Sequence, residues 1–369
     1  MTFSASSDDQ HYMKVALSLA RRGLGRCAPN PSVGCVIVQD NRIVGMGRTA
    51  DGGRPHAETE ALRQAGERAQ GADIYVTLEP CSHHGKTAPC AEALIKAQVK
   101  RVIIGCIDPN PQVSGGGVDM LKSAGIEVVT GVLVRDCALV NAGFCLTQTQ
   151  NRPFVTLKTA MSLDGKTALN SGESQWITGA LARRKAHQLR AQHDAIMVGV
   201  NTVTHDDPML TTRVDGLVHK PVRIVVDKNL RLPIGSKLVQ NRVNDPLWIV
   251  YASAETGQIE ALIAKGAVLL HVPSMQIADI LKALAERGIT RLLVEGGARL
   301  HSAFLDSGLY DELAVFRSAD ILGAGLGAFD KFEAQSLDQR LQFRLKQTIV
   351  LGKDRLDLFA KSDAKSNEG

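Results

Sequence analysis

One imidazole, two thiols and a carboxylate stand at spacings that suit a metal ion with a proton shuttle beside it. His56-Ala57-Glu58 supplies the imidazole and the carboxylate, Pro80-Cys81 one thiol, and Pro89-Cys90 the other. Together His and Cys make the borderline-soft shell that zinc prefers. Three protein ligands leave a fourth position open, and an open position is where a zinc site does chemistry. Zinc moves the pKa of a bound water from about 15.7 to about 7, which yields hydroxide at neutral pH. His56, Cys81 and Cys90 are therefore the expected metal ligands and Glu58 the expected general acid–base. Two plainer readings stay open. A structural zinc wants four protein ligands, and His83 or His84 could supply the fourth. Alternatively no metal binds, His56 sits at a helix start and both thiols are simply buried.

The second half of the chain carries its own group of motifs. Lys158-Thr159-Ala160-Met161-Ser162-Leu163-Asp164-Gly165-Lys166 is followed by Gly172-Glu173-Ser174-Gln175-Trp176-Ile177. Then come Val198-Gly199-Val200-Asn201-Thr202-Val203 and Asp206-Asp207-Pro208-Met209-Leu210-Thr211-Thr212-Arg213. Late in the chain stands Val294-Glu295-Gly296-Gly297-Ala298-Arg299-Leu300. In that stretch an apolar strand ends in an acid, two glycines allow close backbone approach, and a helix begins. Free N–H groups at such a helix start suit a pyrophosphate. A simple tight turn is the competing reading, and the glycines do not form a Gly-x-Gly-x-x-Gly fingerprint. Arg190 and Arg213 can fork onto a phosphate, or serve as surface salt bridges.

The elements that must position these residues follow from periodicity. Met13, Ala16, Leu17 and Ala20 predict a helix over 8–24, capped by Asp8 or Asp9. A hairpin over 33–48 turns at Asp40-Asn41-Arg42. Helices are expected over 58–69, 90–97 and 117–124, and strands over 73–78, 101–106 and 126–130. Both metal-binding segments fall at helix starts, where the dipole favours thiolate. The text turns polar around 141–152, and the domain boundary is placed there. Beyond it strands are expected over 154–158, 195–199, 222–227, 247–251, 268–271, 291–294 and 312–317. Helices over 179–192, 259–265, 277–287 and 298–307 alternate with them. This alternation predicts a mostly parallel sheet with antiparallel strands near 343–349 and 355–359 at its end. The tail over 361–369 is expected to be disordered.

Bulk properties narrow the class. A length of 369 residues suits two domains. The net charge of +5 fits an anionic small molecule and is too weak to argue for nucleic acid; aromatics at 4% leave few stacking platforms for it. Seven cysteines, all in the first half, do not form a disulfide framework. Five of them read as plain buried thiols. The N-terminus lacks a signal-like apolar core, and no stretch reaches membrane-span length. A cytoplasmic enzyme with no membrane partner is expected, as a homo-oligomer, dimer or tetramer.

The first motif set is similar to the signature of the zinc-dependent base deaminases, His-x-Glu followed by Pro-Cys. It departs from that signature in the eight residues that separate the two cysteines, where two are usual. With Pro29-Asn30-Pro31-Ser32-Val33-Gly34, Leu78-Glu79-Pro80-Cys81 and Asp108-Pro109-Asn110-Pro111 added, it resembles the deaminase half of the bacterial bifunctional riboflavin-biosynthesis deaminase–reductases, the RibD family. The long insert is what that family shows. The second motif set resembles the same family's reductase half, so the likeness spans essentially the whole chain in the family's domain order.

The resemblance implies an α/β fold: an N-terminal cytidine-deaminase-like three-layer domain over 1–148 and a C-terminal dihydrofolate-reductase-like domain over 149–369. It implies zinc and NADPH as cofactors. Its substrate would be a diaminopyrimidinone carrying a ribosylamino 5′-phosphate, deaminated and then reduced to a ribityl chain. Carried over residue by residue, Ala160, Trp176, Thr202, Asp206, Lys228 and the run Gly297, Ala298, Arg299, Leu300, His301, Ser302 and Ala303 would contact NADPH. Asn30, Ser174, Arg190, Leu210, Arg213 and Glu295 would contact substrate. Lys158 would steer or protonate the sugar; its plainer reading is a strand-end charge. Trp176 could instead be core, Lys86 is a candidate anion contact or a solvated charge, and Lys228 rests on a stretch of variable length. Two rival functions are a deaminase fused to a nucleotide-binding regulatory domain, and a nucleic-acid-editing deaminase.

Overall fold

The structure is a computed structural model and describes residues 6–84, 88–110, 113–214, 216, 220–241 and 245–362. The chain divides into two compact units between Arg152 and Pro153.

The first unit runs α1 (Ser7–Gly23), β1 (Gly34–Gln39), β2 (Arg42–Arg48), α2 (Ala57–Ala65), β3 (Asp73–Leu78), α3 (Cys90–Lys96), β4 (Arg101–Cys106), α4 (Gly116–Ser123), β5 (Glu127–Thr130), α5 (Val134–Val140) and α6 (Ala142–Gln150). Its sheet has the order β2-β1-β3-β4-β5. The β1–β2 and β1–β3 pairs are antiparallel, and β3–β4 and β4–β5 are parallel. Glycines fix how closely helices approach. A Cβ on Gly34 of β1 would lie 1.9 Å from the Ala16 carbonyl oxygen of α1, and one on Gly47 of β2 would lie 2.2 Å from the Ala57 oxygen of α2. Gly47 pairs with Cys35, the neighbour of Gly34. Successive residues of a strand point to opposite faces, so α1 and α2 cover opposite sides of the sheet and make three layers.

Two local features differ from the sequence expectation. Ser6, not Asp8 or Asp9, caps α1: its side chain accepts the Asp9 N–H and the Asp9 carboxylate answers the Ser6 N–H, a capping box. The polar stretch around 141–152 is helical as far as Gln150, where α6 ends on a left-handed Asn151. Polarity there reflects solvent exposure, since Gly143 is the one buried residue of that helix.

The second unit runs β6 (Phe154–Met161), β7 (Lys166–Leu169), α7 (Ala180–Arg190), β8 (Ala195–Gly199), α8 (Val200–Asp206), β9 (Val222–Val226), α9 (Lys237–Gln240), β10 (Leu247–Tyr251), α10 (Thr256–Ala264) and β11 (Val268–His271). It continues with α11 (Ile277–Ala285), β12 (Arg291–Glu295), α12 (Ala298–Ser307), β13 (Glu312–Arg317), β14 (Gly325–Gly327), β15 (Phe343–Leu351) and β16 (Asp354–Lys361). Among the described residues the main sheet has nine strands in the order β11-β10-β9-β8-β12-β6-β13-β16-β15. Pairing is parallel from β11 to β13 and antiparallel through β16 and β15. The buried Asp194 carboxylate takes the Thr290 N–H, the Thr290 hydroxyl and the Arg291 N–H, which anchors the start of β12. With that end fixed, Glu295 at the far end of β12 aligns with Lys158 of β6. Residues from 363 onward, part of the tail expected to be disordered, lie outside the described residues.

Candidate active sites

In the first unit His56, Cys81 and Cys90 converge, with their ligand atoms within 4.8 Å of one another. His56 is the N-cap of α2, Cys81 follows β3 and Cys90 opens α3. The imidazole Nδ1 lies 3.3 Å from Cys90 Sγ and 3.7 Å from Cys81 Sγ. The Cys90 N–H donates to Cys81 Sγ at 3.3 Å. That donor, and the neighbouring groups, bear on which sulfur is ionised. A hydrogen bond from Cys90 pulls the Cys81 thiol down to about 4, and its partnership with the Cys81 sulfur pushes Cys90 far up. Two sulfurs this close cannot both ionise without a cation between them. One His and two Cys facing a common point are a zinc donor set, and a dication there removes the conflict. The residues present fit zinc.

Glu58 sits in the first turn of α2 and is buried. Burial pushes its carboxyl up to about 7 against the pull of His56. The placement suits a proton carrier beside the cluster. His84 is exposed and pairs with Glu92 at 3.5 Å, and neither it nor His83 belongs to the cluster. The fourth-ligand reading thus finds no support among the described residues. Asn30 donates to the Gly53 carbonyl at 3.2 Å, and a Cβ on Gly53 would strike its amide, so the side chain is held in place. Lys86 lies outside the described residues.

In the second unit the centre is an ion cluster. The Arg190 guanidinium, at the end of α7, forks onto Glu295: Nε to Oε1 at 2.5 Å and Nη2 to Oε2 at 2.9 Å. Lys158 Nζ reaches Oε2 at 3.3 Å and stands 5.6 Å from the centre of the Phe316 ring. Burial by itself would raise the Glu295 carboxyl, but Arg190 and then Lys158 outweigh it and hold it well below the usual carboxylate range. Arg190 also donates Nη1 to the Thr211 carbonyl at 2.8 Å, which His187 contacts through Nδ1 at 3.1 Å. Three of the five Arg190 donors are thereby occupied. Arg213 is exposed and has no carboxylate partner among the described residues. Of the two arginines expected to hold a phosphate, Arg213 is the freer. Leu210 is buried at φ +52° beside the Thr211 carbonyl. His187 was not singled out from the sequence; its spacing of three from Arg190 on one helix was the available signal.

The residues expected to hold NADPH divide by what they can offer. Gly296 and Gly297 have φ of +127° and +66°, and a Cβ on Gly296 would lie 3.2 Å from Thr202 Oγ1. Thr202 and the glycine turn therefore meet. The following α12 starts without a side-chain cap, so its first N–H groups can meet an anion. Leu300, His301 and Ser302 are buried. Arg299 is exposed and Ala298 and Ala303 are half-buried. Trp176 is 70% exposed, with the Arg183 guanidinium 4.4 Å from its ring centre, so it is not core. Ser174 and Ala160 are half-buried, Asp206 ends α8, and the Lys228 carbonyl accepts the Ala252 and Ser253 N–H groups. The glycine turn, Thr202 and the open helix start fit a pyrophosphate-bearing cofactor.

Comparison with known proteins covers both units. Residues 6–106 match the family described as the cytidine and deoxycytidylate deaminase zinc-binding region. Residues 153–356 match the RibD C-terminal domain. The chain is 44% identical over 353 residues to the riboflavin biosynthesis protein RibD of Aquifex aeolicus, covering 96% of this chain and 98% of that one. It is 40% identical to the RibD of Escherichia coli over 361 residues, 94% and 97% of the two chains. Among solved structures, a RibD from Acinetobacter baumannii superposes with a TM-score of 0.87 at 41% identity, covering 96% and 99%. A diaminohydroxyphosphoribosylaminopyrimidine deaminase/5-amino-6-(5-phosphoribosylamino)uracil reductase from Thermotoga maritima gives 0.86 at 35%, also covering 96% and 99%.

Proposed function

The chain belongs to the RibD family, the bifunctional deaminase–reductases of riboflavin biosynthesis, and we propose from that premise which of its residues perform the two reactions. The observation that carries the assignment is the convergence of His56, Cys81 and Cys90 beside a buried Glu58. Those three ligands would hold zinc, which when bound supplies a hydroxide nucleophile at neutral pH. Glu58 takes a proton at its carboxylate, passes it to the ring nitrogen of the diaminopyrimidinone, and helps ammonia leave. Asn30, held by Gly53, orients the ring.

In the reductase unit NADPH, when bound, supplies the hydride. The Gly296–Gly297 turn, Thr202 and the start of α12 receive its pyrophosphate, with Ala160, Trp176, Asp206 and Lys228 along its length. Arg213 holds the substrate phosphate, and Leu210 and Ser174 line the sugar. Lys158 keeps a proton at Nζ for the opening ribose, and Glu295 with Arg190 fixes where that ammonium stands. The enzyme works in the cytoplasm as a homo-oligomer. Five cysteines outside the zinc-ligand set, none of them in a disulfide, support the compartment, and the exposed Leu345 and Val350 of edge strand β15 support the assembly. No helix of the described residues is long and apolar enough to cross a membrane.

One assay tests the reading: zinc-loaded protein, the diaminopyrimidine ribosyl phosphate and NADPH, with ammonia and nicotinamide absorbance followed separately. Ammonia release is expected without NADPH, and NADPH oxidation only once deaminated product has formed. NADPH oxidation that precedes ammonia release would overturn the order, and its absence on deaminated product would reduce the second unit to a binding domain.

A further inference from the structure

Two carboxylates are buried beside the zinc-ligand cluster, and their surroundings differ. Glu58, in the first turn of α2, follows the ligand His56 by two positions. Glu79, two positions before Cys81, is saturated. Its Oε1 accepts the N–H groups of Gly117 at 3.0 Å and Val118 at 3.1 Å, and its Oε2 those of Gly115 at 3.1 Å and Asp108 at 3.2 Å. A carboxylate offers about four lone-pair positions, so Glu79 has none to spare for a proton in transit. Its donors come from two places, the residue that follows β4 by two positions and the first turn of α4. The packing around them is close. A Cβ on Gly117 would lie 2.0 Å from the Pro80 carbonyl oxygen, and one on Gly116 would lie 2.6 Å from Ser82 Oγ. The start of α4 is thus seated directly on the stretch that carries Cys81. Asp108, whose carboxyl accepts the Asn110 N–H at 2.8 Å, lies within electrostatic reach of His83 and Cys81.

We propose that Glu79 is a positioning residue of the deaminase site. It clamps Asp108 and the start of α4 onto the Cys81 segment, so that the direction of Cys81 Sγ and the wall next to it are set before zinc or substrate arrives. The inference rests on the deaminase reading of that site. Glu79 touches no reacting atom; it acts through Cys81 and Asp108.

Glu79→Gln is the direct test, made in the full-length, zinc-loaded protein. The amide keeps one acceptor but turns an NH2 group towards two of the four N–H donors. Zinc release to a coloured chelator, deaminase kcat and KM, and reductase turnover on deaminated substrate are measured together. Loss of a partner that orients a metal ligand typically costs about 10–100-fold in metal affinity or activity. Zinc release at least about tenfold faster, with a deaminase kcat/KM at least about tenfold lower, is expected on that basis. Reductase turnover should stay within about twofold. If zinc release and kcat/KM are unchanged while only the melting temperature falls, Glu79 is merely structural and the proposal is overturned. If the variant does not fold, Glu79→Asp replaces it, keeping the charge while shortening the reach by one methylene. Faster zinc release from that folded variant supports the clamp, and an unchanged rate overturns it. A parent protein that releases no ammonia would remove the deaminase reading alone, since the zinc-release comparison still judges Glu79.

Discussion

Replacing Glu295 by Gln should damage the reductase unit in two measurable ways. The carboxylate is 8% exposed and takes both arms of the Arg190 fork plus the Lys158 ammonium. An amide cannot accept from all of these and leaves two largely buried cations, each with 16% of its side chain exposed, uncompensated. Removing one partner of a buried ion cluster costs about 3–5 kcal/mol. For a domain of this size each kcal/mol is worth about 2–4 °C, so the reductase transition should fall on the order of 10 °C. Lys158 also loses its anchor, and a displacement near 1 Å at a reacting group can cost about 10²-fold in rate. Differential scanning calorimetry reads the first effect and NADPH oxidation on deaminated substrate the second, with ammonia release as the internal control. The pH dependence has a definite sign. Glu295 is held below its unfolded value of about 4.3. Its stabilisation is therefore complete above that value and disappears as pH falls through the lower folded pKa. The gap between parent and Glu295→Gln should be constant down to about pH 5 and shrink in more acidic solution. A variant within about 1 kcal/mol of the parent at pH 7 would refute the reasoning, given the cost expected for a broken buried pair. So would a gap that widens on acidification. Replacing Glu295, Arg190 and Lys158 together by apolar residues should recover much of the stability but none of the reduction.

Three further outcomes follow from the geometry. Glu58→Gln should retain zinc, measured by metal analysis, while ammonia release drops about 10²–10⁴-fold, the usual worth of a positioned acid–base; retained deamination would contradict the role. Cys90→Ser should lose zinc to dialysis and lose ammonia release with it, leaving NADPH oxidation on deaminated substrate intact, because the reductase cluster sits in the other compact unit. Gly297→Ala, at φ +66° and 3.4 Å from Thr202 Oγ1, should weaken NADPH binding in a fluorescence titration and cost about 1–2 kcal/mol of left-handed strain; unchanged binding would place the cofactor elsewhere.

The zinc site was legible in the sequence because its information is local. His56 and Glu58 share one helix start, and Cys81 and Cys90 flank one insert, so types and spacing alone named the donor set. The alternation of apolar runs also showed the parallel sheet and its antiparallel end, since a strand buried on both faces must be apolar along its length. Other features were invisible for stated reasons. α6 is helical under a sequence that buries almost nothing, whereas the Ser6 cap of α1 did have a local signal, the Ser6-x-x-Asp9 spacing. The fate of Arg190 required the fold: Glu295 is 105 positions away and Lys158 is 137 positions from Glu295. Sequence reading made Arg190 and Arg213 equal candidates for a phosphate, whereas the fold sets the end of α7 against the end of β12, which gives Arg190 to Glu295 and leaves Arg213 open. Glu79 is the same case: in the sequence it is one letter before Pro80, and in the fold it carries four backbone donors from Asp108 and α4. What the sequence by itself determined was which groups could hold zinc and move a proton, because the ligand chemistry depends on residue type. Which charged side chain is free and which is spent was decided by tertiary structure alone, because that depends on which distant backbone and carboxylate atoms the strands bring alongside.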